Sequence, residues 1–200
     1  MKEKVLISGI LGQDGSLLGE TFDSRKYELF GIIKKSIDHY GNNHNFIELN
    51  KKKKNLKFIE CDVRDFSSIK YLIKDIKPNQ IFHLAANHSD SSKKNYSKKI
   101  KKIMFETNYL STKSIIESIL SYNQNCFLLF AASSQMYSFN KKLISERTIT
   151  NPSTYYGVTK EKSWKEILYA KKNYGLRSST VILFNHESER RKPEFLSKKI

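Results

Sequence analysis

The chain has 200 residues, 38% of them hydrophobic and 12% aromatic, with 36 Lys and Arg against 20 Asp and Glu. That length and apolar content suit one large domain or two small ones around a substantial core, and no apolar run approaches the ~18 residues of a membrane-spanning helix. The net charge of +16 raises nucleic-acid or membrane-surface binding, but lysine far outnumbers arginine and is spread along the chain, whereas specific nucleic-acid readers combine arginine with aromatics.

A solvated lysine-rich surface is therefore expected, or a basic rim that attracts an anionic nucleotide, with no specific nucleic-acid partner and no membrane. The first apolar run, Val5-Leu6-Ile7, is too short for a signal peptide, so a soluble, cytoplasmic protein is expected. Cys61 and Cys126 are the only cysteines; they read as buried reduced thiols, and without a CxxC or a Cys/His cluster no metal site is expected.

In chain order, Val5 to Ser8 reads as a short buried strand, Gly9 to Gly15 as a glycine-rich turn, and Ser16 to Ser24 as a helix. Glu28 to Ile33 is a second strand, residues 38 to 55 a polar Asn- and Lys-rich loop, and Leu56 to Glu60 a third strand. Ser67 to Ile76 is a helix stopped near Pro78, and Gln80 to Leu84 a fourth strand. After a Ser/Lys-rich stretch from His88 to about Lys99, one long helical pattern runs to Tyr122. Cys126 to Ala131 is a fifth strand, residues 138 to 152 a loop, Ser153 to Asn173 a helix and Ser178 to Phe184 a sixth strand. Short apolar strands alternating with helices predict an α/β fold, a doubly wound, Rossmann-like parallel sheet covered on both faces.

Gly9-Ile10-Leu11-Gly12-Gln13-Asp14-Gly15 follows a strand and opens a helix, the context that distinguishes a dinucleotide fingerprint from chance glycines. Glycines there permit a tight turn, bring backbone N–H groups to a pyrophosphate and leave it at a helix N-terminus. The second strand ends in Lys34-Lys35-Ser36. An NAD enzyme usually places a carboxylate there for the ribose 2′-OH; two cations and a hydroxyl favour NADP. Asp62-Val63 after the third strand and Leu84-Ala85-Ala86 after the fourth stand where adenine and the passing cofactor would lie.

Tyr156-Gly157-Val158-Thr159-Lys160 is a YxxxK spacing at a helix start, which puts the ammonium and the phenol on one face. A neighbouring ammonium is expected to lower the phenol's pKa and make it a base for an alcohol that loses hydride. Ser133, at the end of the fifth strand, can share the alcohol proton. Ser133, Tyr156 and Lys160 behind a glycine fingerprint resemble the short-chain dehydrogenase constellation.

The closer resemblance is to the GDP-mannose 4,6-dehydratase family. It rests on Gly9 to Ser16, on Gly31-Ile32-Ile33-Lys34-Lys35-Ser36, and above all on Ile182-Leu183-Phe184-Asn185-His186-Glu187-Ser188 with Arg190-Arg191 and Lys198-Lys199-Ile200. The resemblance implies an NADP-dependent lyase in which His186 and Arg191 contact the cofactor, Asn185 lies at the cofactor–substrate junction, and Ser133 and Lys199 meet the substrate. It implies a homo-oligomer acting on GDP-mannose. In the family reaction hydride leaves C4 of the hexose for NADP while the tyrosine takes the hydroxyl proton. A glutamate removes the C5 proton, water leaves from C6, and hydride returns to C6.

Three departures accompany the resemblance. Gln135 stands where the family carries its glutamate, and an amide cannot shuttle a proton. Residues 87 to 104 fit the pattern poorly. The chain also ends where a C-terminal, substrate-binding portion is expected, so residues 1–200 read as the NADP-binding domain, with the substrate region starting from about residue 185. Two other functions stay open: a nucleotide-sugar 4-ketoreductase or 4-epimerase, which needs no glutamate, and a non-catalytic truncated paralogue.

Overall fold

The computed structural model describes residues 1–35, 37–41, 43–53, 55–88, 96–138 and 143–191. Strand β1 (Glu3–Ser8) leads into helix α1 (Gln13–Thr21), β2 (Tyr27–Ile33), α2 (His44–Lys52), β3 (Lys57–Glu60), α3 (Phe66–Ile76) and β4 (Gln80–His83). Helix α4 (Lys98–Phe105) then passes through a π-helical turn (Glu106–Leu110) into α5 (Ser111–Tyr122), followed by β5 (Phe127–Ser133), α6 (Tyr155–Tyr174) and β6 (Ser178–Leu183).

The strands form one sheet in the order β3-β2-β1-β4-β5-β6, with every neighbouring pair parallel. The order reverses between β1 and β4, and the crevice outside the carboxyl ends of those strands is where such sheets take ligands. The pleat explains the buried pattern. Val5 and Ile7 of β1 point to one face, with Leu29, Ile33, Leu49 and Leu56. Leu6 points to the other, with Phe30, Ile32, Ile81, Leu128 and Phe130 and the apolar stripes of α3, α5 and α6. Alternate residues of a strand face opposite ways, so a strand buried on both faces reads as a continuous apolar run.

Two segments differ from the sequence reading. Residues 38 to 55 are not all loop: α2 occupies His44–Lys52. The Asn43 side chain accepts the Phe46 N–H at 2.9 Å, an N-cap, and α2 buries Phe46 and Leu49. Burial of each side chain contributes about 1.5–3 kcal/mol, which holds a helix whose composition is otherwise that of a loop. The long helical pattern ending at Tyr122 is interrupted by the π-helical turn. There the Thr112 hydroxyl donates to Asn108 O at 2.8 Å and the Ser163 hydroxyl donates to the same carbonyl at 2.7 Å. A widened turn exposes backbone carbonyls that a regular helix would keep for itself, and α6 uses one of them.

Helix α1 also begins at Gln13, earlier than expected, because Gly12 already serves as its N-cap. Helix α3 ends as expected: Lys77 adopts φ 49° before Pro78. Both cysteines are buried and free. No helix among the described residues is long and apolar enough to cross a membrane.

Candidate active site

The described candidate segments lie at the carboxyl ends of the parallel strands. The glycine turn follows β1. Gly9 has φ +76°, and a Cβ there would come within 2.7 Å of Ala85 N; only glycine permits both the left-handed turn and that approach. Gly12 caps α1, so the helix N-terminus, with its unpaired N–H groups, opens directly onto the crevice. Ala85 donates its backbone N–H to Ser8 Oγ at 3.3 Å, fixing the β4 exit under the turn. Gln13 Oε1 is buried with no donor among the described residues.

The run from Ile182 to Arg191 folds back over this turn. His186 Nε2 lies 2.7 Å from Asp14 Oδ1, and its Nδ1 lies 2.7 Å from Phe184 O. The Phe184 carbonyl, and then Asp14, raise the imidazole pKa against the opposing effect of burial. Gln13 Nε2 reaches His186 O at 3.4 Å. Asn45 of α2 donates to both Leu11 O (3.1 Å) and Arg190 O (3.2 Å), and the buried Arg190 pairs with Glu20 of α1. Arg191 pairs with Glu187 at 3.3 Å, and Asn185 is exposed.

At the ends of β2 and β3, Lys34 Nζ lies 3.6 Å from Asp62 Oδ2, and Lys35 Nζ lies 3.1 Å from His39 Nε2. Arg64 grips Asp62 through both carboxylate oxygens and, with its backbone N–H, holds that carboxyl down at about 2. Val63 is packed in the core, so its backbone is what it offers a ligand. Leu84 packs on the α1–α2 side of the sheet, Ala85 on the other, and Ala86 is exposed. Ser36 and Lys199 lie outside the described residues.

The second cluster sits at the ends of β5 and the start of α6. Thr154 caps α6 by accepting the Gly157 N–H at 3.0 Å, which sets Tyr156 in the first turn and Lys160 one turn later. Tyr156 is 8% exposed, the Ser133 side chain acts on its phenol by lowering its pKa, and the His88 ring meets it edge-on at 5.7 Å. Lys160 is buried, donates to Ala131 O at 2.8 Å, and places Nζ 5.8 Å from the Tyr156 ring centroid.

The expected direction of the tyrosine shift is reversed. Burial pushes the Tyr156 phenol up to about 12, against the downward pull of the Ser133 side chain, and Asp14 raises it further. Burial alone lowers Lys160 to about 7. Desolvation acts on both partners toward their neutral forms, and the ammonium is spent on a backbone carbonyl rather than on the phenol.

Gln135 belongs to the same cluster. Its Oε1 accepts the Thr154 hydroxyl at 2.9 Å, and its backbone O lies where a Gly157 Cβ would be, 2.1 Å away. Residue 135 is thereby pressed against the turn that carries Tyr156. Two supports escaped the sequence reading. Asn108, in the π-helical turn, donates to Thr159 Oγ1 at 3.0 Å and to Asn87 O at 2.9 Å, and accepts the Asn87 N–H at 2.8 Å. Thr154, a Thr just ahead of YxxxK, was a cap signal in plain view. Asn108 had none, since its partners are 21 and 51 residues away.

This chain is similar to several proteins of known type. The chain is 29% identical over 206 residues to GDP-mannose 4,6 dehydratase of Dictyostelium discoideum, covering 100% of this chain and 57% of that protein. It is 32% identical over 203 residues to GDP-mannose 4,6 dehydratase 2 of Arabidopsis thaliana, covering 98% and 53%. The fold matches UDP-glucuronic acid 4-epimerase from Bacillus cereus with TM-score 0.81 and 21% identity, covering 98% of this chain and 60% of that one. It matches dTDP-glucose 4,6-dehydratase from Bacillus anthracis with TM-score 0.79 and 17% identity, covering 98% and 59%. The chain thus spans about half the length of the curated relatives it matches. A family model described as GDP-mannose 4,6 dehydratase matches residues 6–200, and the chain belongs to that family.

Proposed function

We propose that this chain binds NADP along the carboxyl edge of its sheet and acts on GDP-mannose as a 4,6-dehydratase-type lyase, with the oxidation at C4 intact and the elimination impaired. The observation that carries this reading is the Ser133–Tyr156–Lys160 cluster, its tyrosine and lysine buried, at the carboxyl end of β5, on the same edge of the parallel sheet as the glycine turn after β1. A dinucleotide suits that turn: Gly9 leaves room for backbone approach, the α1 N-terminus favours a pyrophosphate, and the buried Gln13 Oε1 can take a donor. When bound, NADP supplies the hydride acceptor. Tyr156 takes the proton of the C4 hydroxyl, and Ser133 holds that hydroxyl in place. Lys160 lies one helical turn from Tyr156, and its ammonium would stabilise the phenolate on turning from the Ala131 carbonyl toward it. Lys34 and Lys35 favour a 2′-phosphate, hence NADP. The proposal includes a homo-oligomer in the cytoplasm.

Gln135 supports a second reading. An amide cannot remove the C5 proton, and a 4-ketoreductase or 4-epimerase has no need to. Mass spectrometry of GDP-mannose incubated with the protein and NADP separates the two. The proposal expects slow loss of one water, accelerated by Gln135→Glu about 10²-fold or more. Unchanged mass in both proteins, with inversion at C4, would establish the second reading instead.

A further inference from the structure

Four charged groups line up across the ends of β2 and β3, and one of them was not expected in the cofactor site. Arg64 donates Nη2 to Asp62 Oδ2 at 2.6 Å and Nε to both oxygens at 3.1 and 3.2 Å. Its backbone N–H adds a bond to Oδ1 at 3.0 Å. Lys34 Nζ reaches the same carboxylate only at 3.6 Å. On its far side Arg64 Nη1 lies 4.0 Å from Glu106 in the π-helical turn, which Lys102 approaches at 3.8 Å.

Asp62 is an obstacle to a 2′-phosphate. It is fully ionised at neutral pH, and it stands beside the lysine that a phosphate would use. A planar guanidinium that takes both carboxylate oxygens is the strongest available counter-ion. With Arg64 in place, Asp62 and Arg64 cancel and Lys34 keeps its positive charge for a ligand. Without Arg64, Lys34 is the remaining cation within 4 Å of Asp62 among the described residues.

We infer that Arg64 sets the cofactor preference: by holding Asp62 it leaves Lys34 and Lys35 to the 2′-phosphate, and so favours NADP over NAD without itself needing to touch the phosphate. Arg64 is a positioning residue in this scheme, and the inference rests on the proposed NADP reading.

The test is the ratio of dissociation constants for NADH and NADPH, measured by fluorescence titration of the whole chain. General loss of fold or of adenine binding weakens both cofactors and cancels in the ratio. Arg64→Gln should lower the preference for NADPH about five- to tenfold, the scale of one partly exposed charge a few ångströms away. Asp62→Asn with Arg64→Gln should restore it, since the neutral amide no longer claims Lys34. A native protein that prefers NADPH, with a ratio untouched by Arg64→Gln, would overturn the inference and leave the NADP reading standing. So would a double variant as poor as Arg64→Gln alone. A native ratio near one, unaltered by Lys34→Glu with Lys35→Glu, would remove the NADP reading and the inference together.

Discussion

The two halves of the sheet build their parts of the site by different means. Around β1, the glycine turn is shaped by backbone: a left-handed Gly9 against Ala85 N and a helix N-terminus behind Gly12. Around β5, the site is shaped by side chains taken out of water: Lys160 is fully buried and Tyr156 nearly so. A backbone cradle is tolerant of the side chains around it and intolerant of a single added methyl group. A buried polar cluster depends on each of its groups and stores the cost of their desolvation.

That contrast can be broken or sharpened by variants in each half. The largest effect is expected from Tyr156→Phe, which removes the proton acceptor while keeping the ring. Hydride transfer should fall about 10²–10⁴-fold with NADPH affinity nearly unchanged, as read by single-turnover absorbance and fluorescence titration. Unchanged turnover would take the chemistry away from the β5 half altogether.

Next comes the pH dependence of stability. Lys160 titrates near 7 in the folded chain against 10.5 when exposed, so between those values the unfolded chain binds more protons and stability rises with pH. One such group contributes up to about 1.4 kcal/mol per pH unit. Above pH 9 the buried Cys61 and Cys126, raised to about 11 and about 12, act in the opposite sense. Urea unfolding between pH 7 and 9 therefore reads the lysine against smaller opposing contributions from His186 at the low end and the cysteines at the high end, and Lys160→Met should remove the upward slope there. An equal slope in both proteins would show that the desolvation of Lys160 is compensated.

The smallest effect belongs to the backbone half. Gly9→Ala forces a side chain into the left-handed region and against Ala85, and should destabilise by about 1–3 kcal/mol while weakening NADPH binding about tenfold. Thermal unfolding with a parallel NADPH titration reads both. Retained binding would mean that the turn can rearrange, and the contrast between the halves would lose its basis.

The same contrast explains what the sequence disclosed. Gly9, Gly12 and Gly15 lie within one turn, and Tyr156 and Lys160 within one helical turn, so short spacing carried their meaning. Ser133 could be placed because β5 ends there. Helix α2 was lost because Asn and Lys dominate residues 38 to 55, and only Asn43, Phe46 and Leu49 speak for a helix. The support from Asn108 joins Asn87 and Thr159 through tertiary packing, which no local pattern reports. The direction of the Tyr156 shift was missed because proximity of a lysine was read without the burial that the pair shares.

The return of the chain's last described segment over its first turn also bears on synthesis. Asp14 meets its imidazole partner 172 residues later, and Glu20 its guanidinium 170 residues later. A ribosome must therefore translate almost the whole of this sequence before the opening turn acquires these two partners. Until then the emerging N-terminal half can lay down β1 to β3, but its glycine turn stays without the contacts that close it.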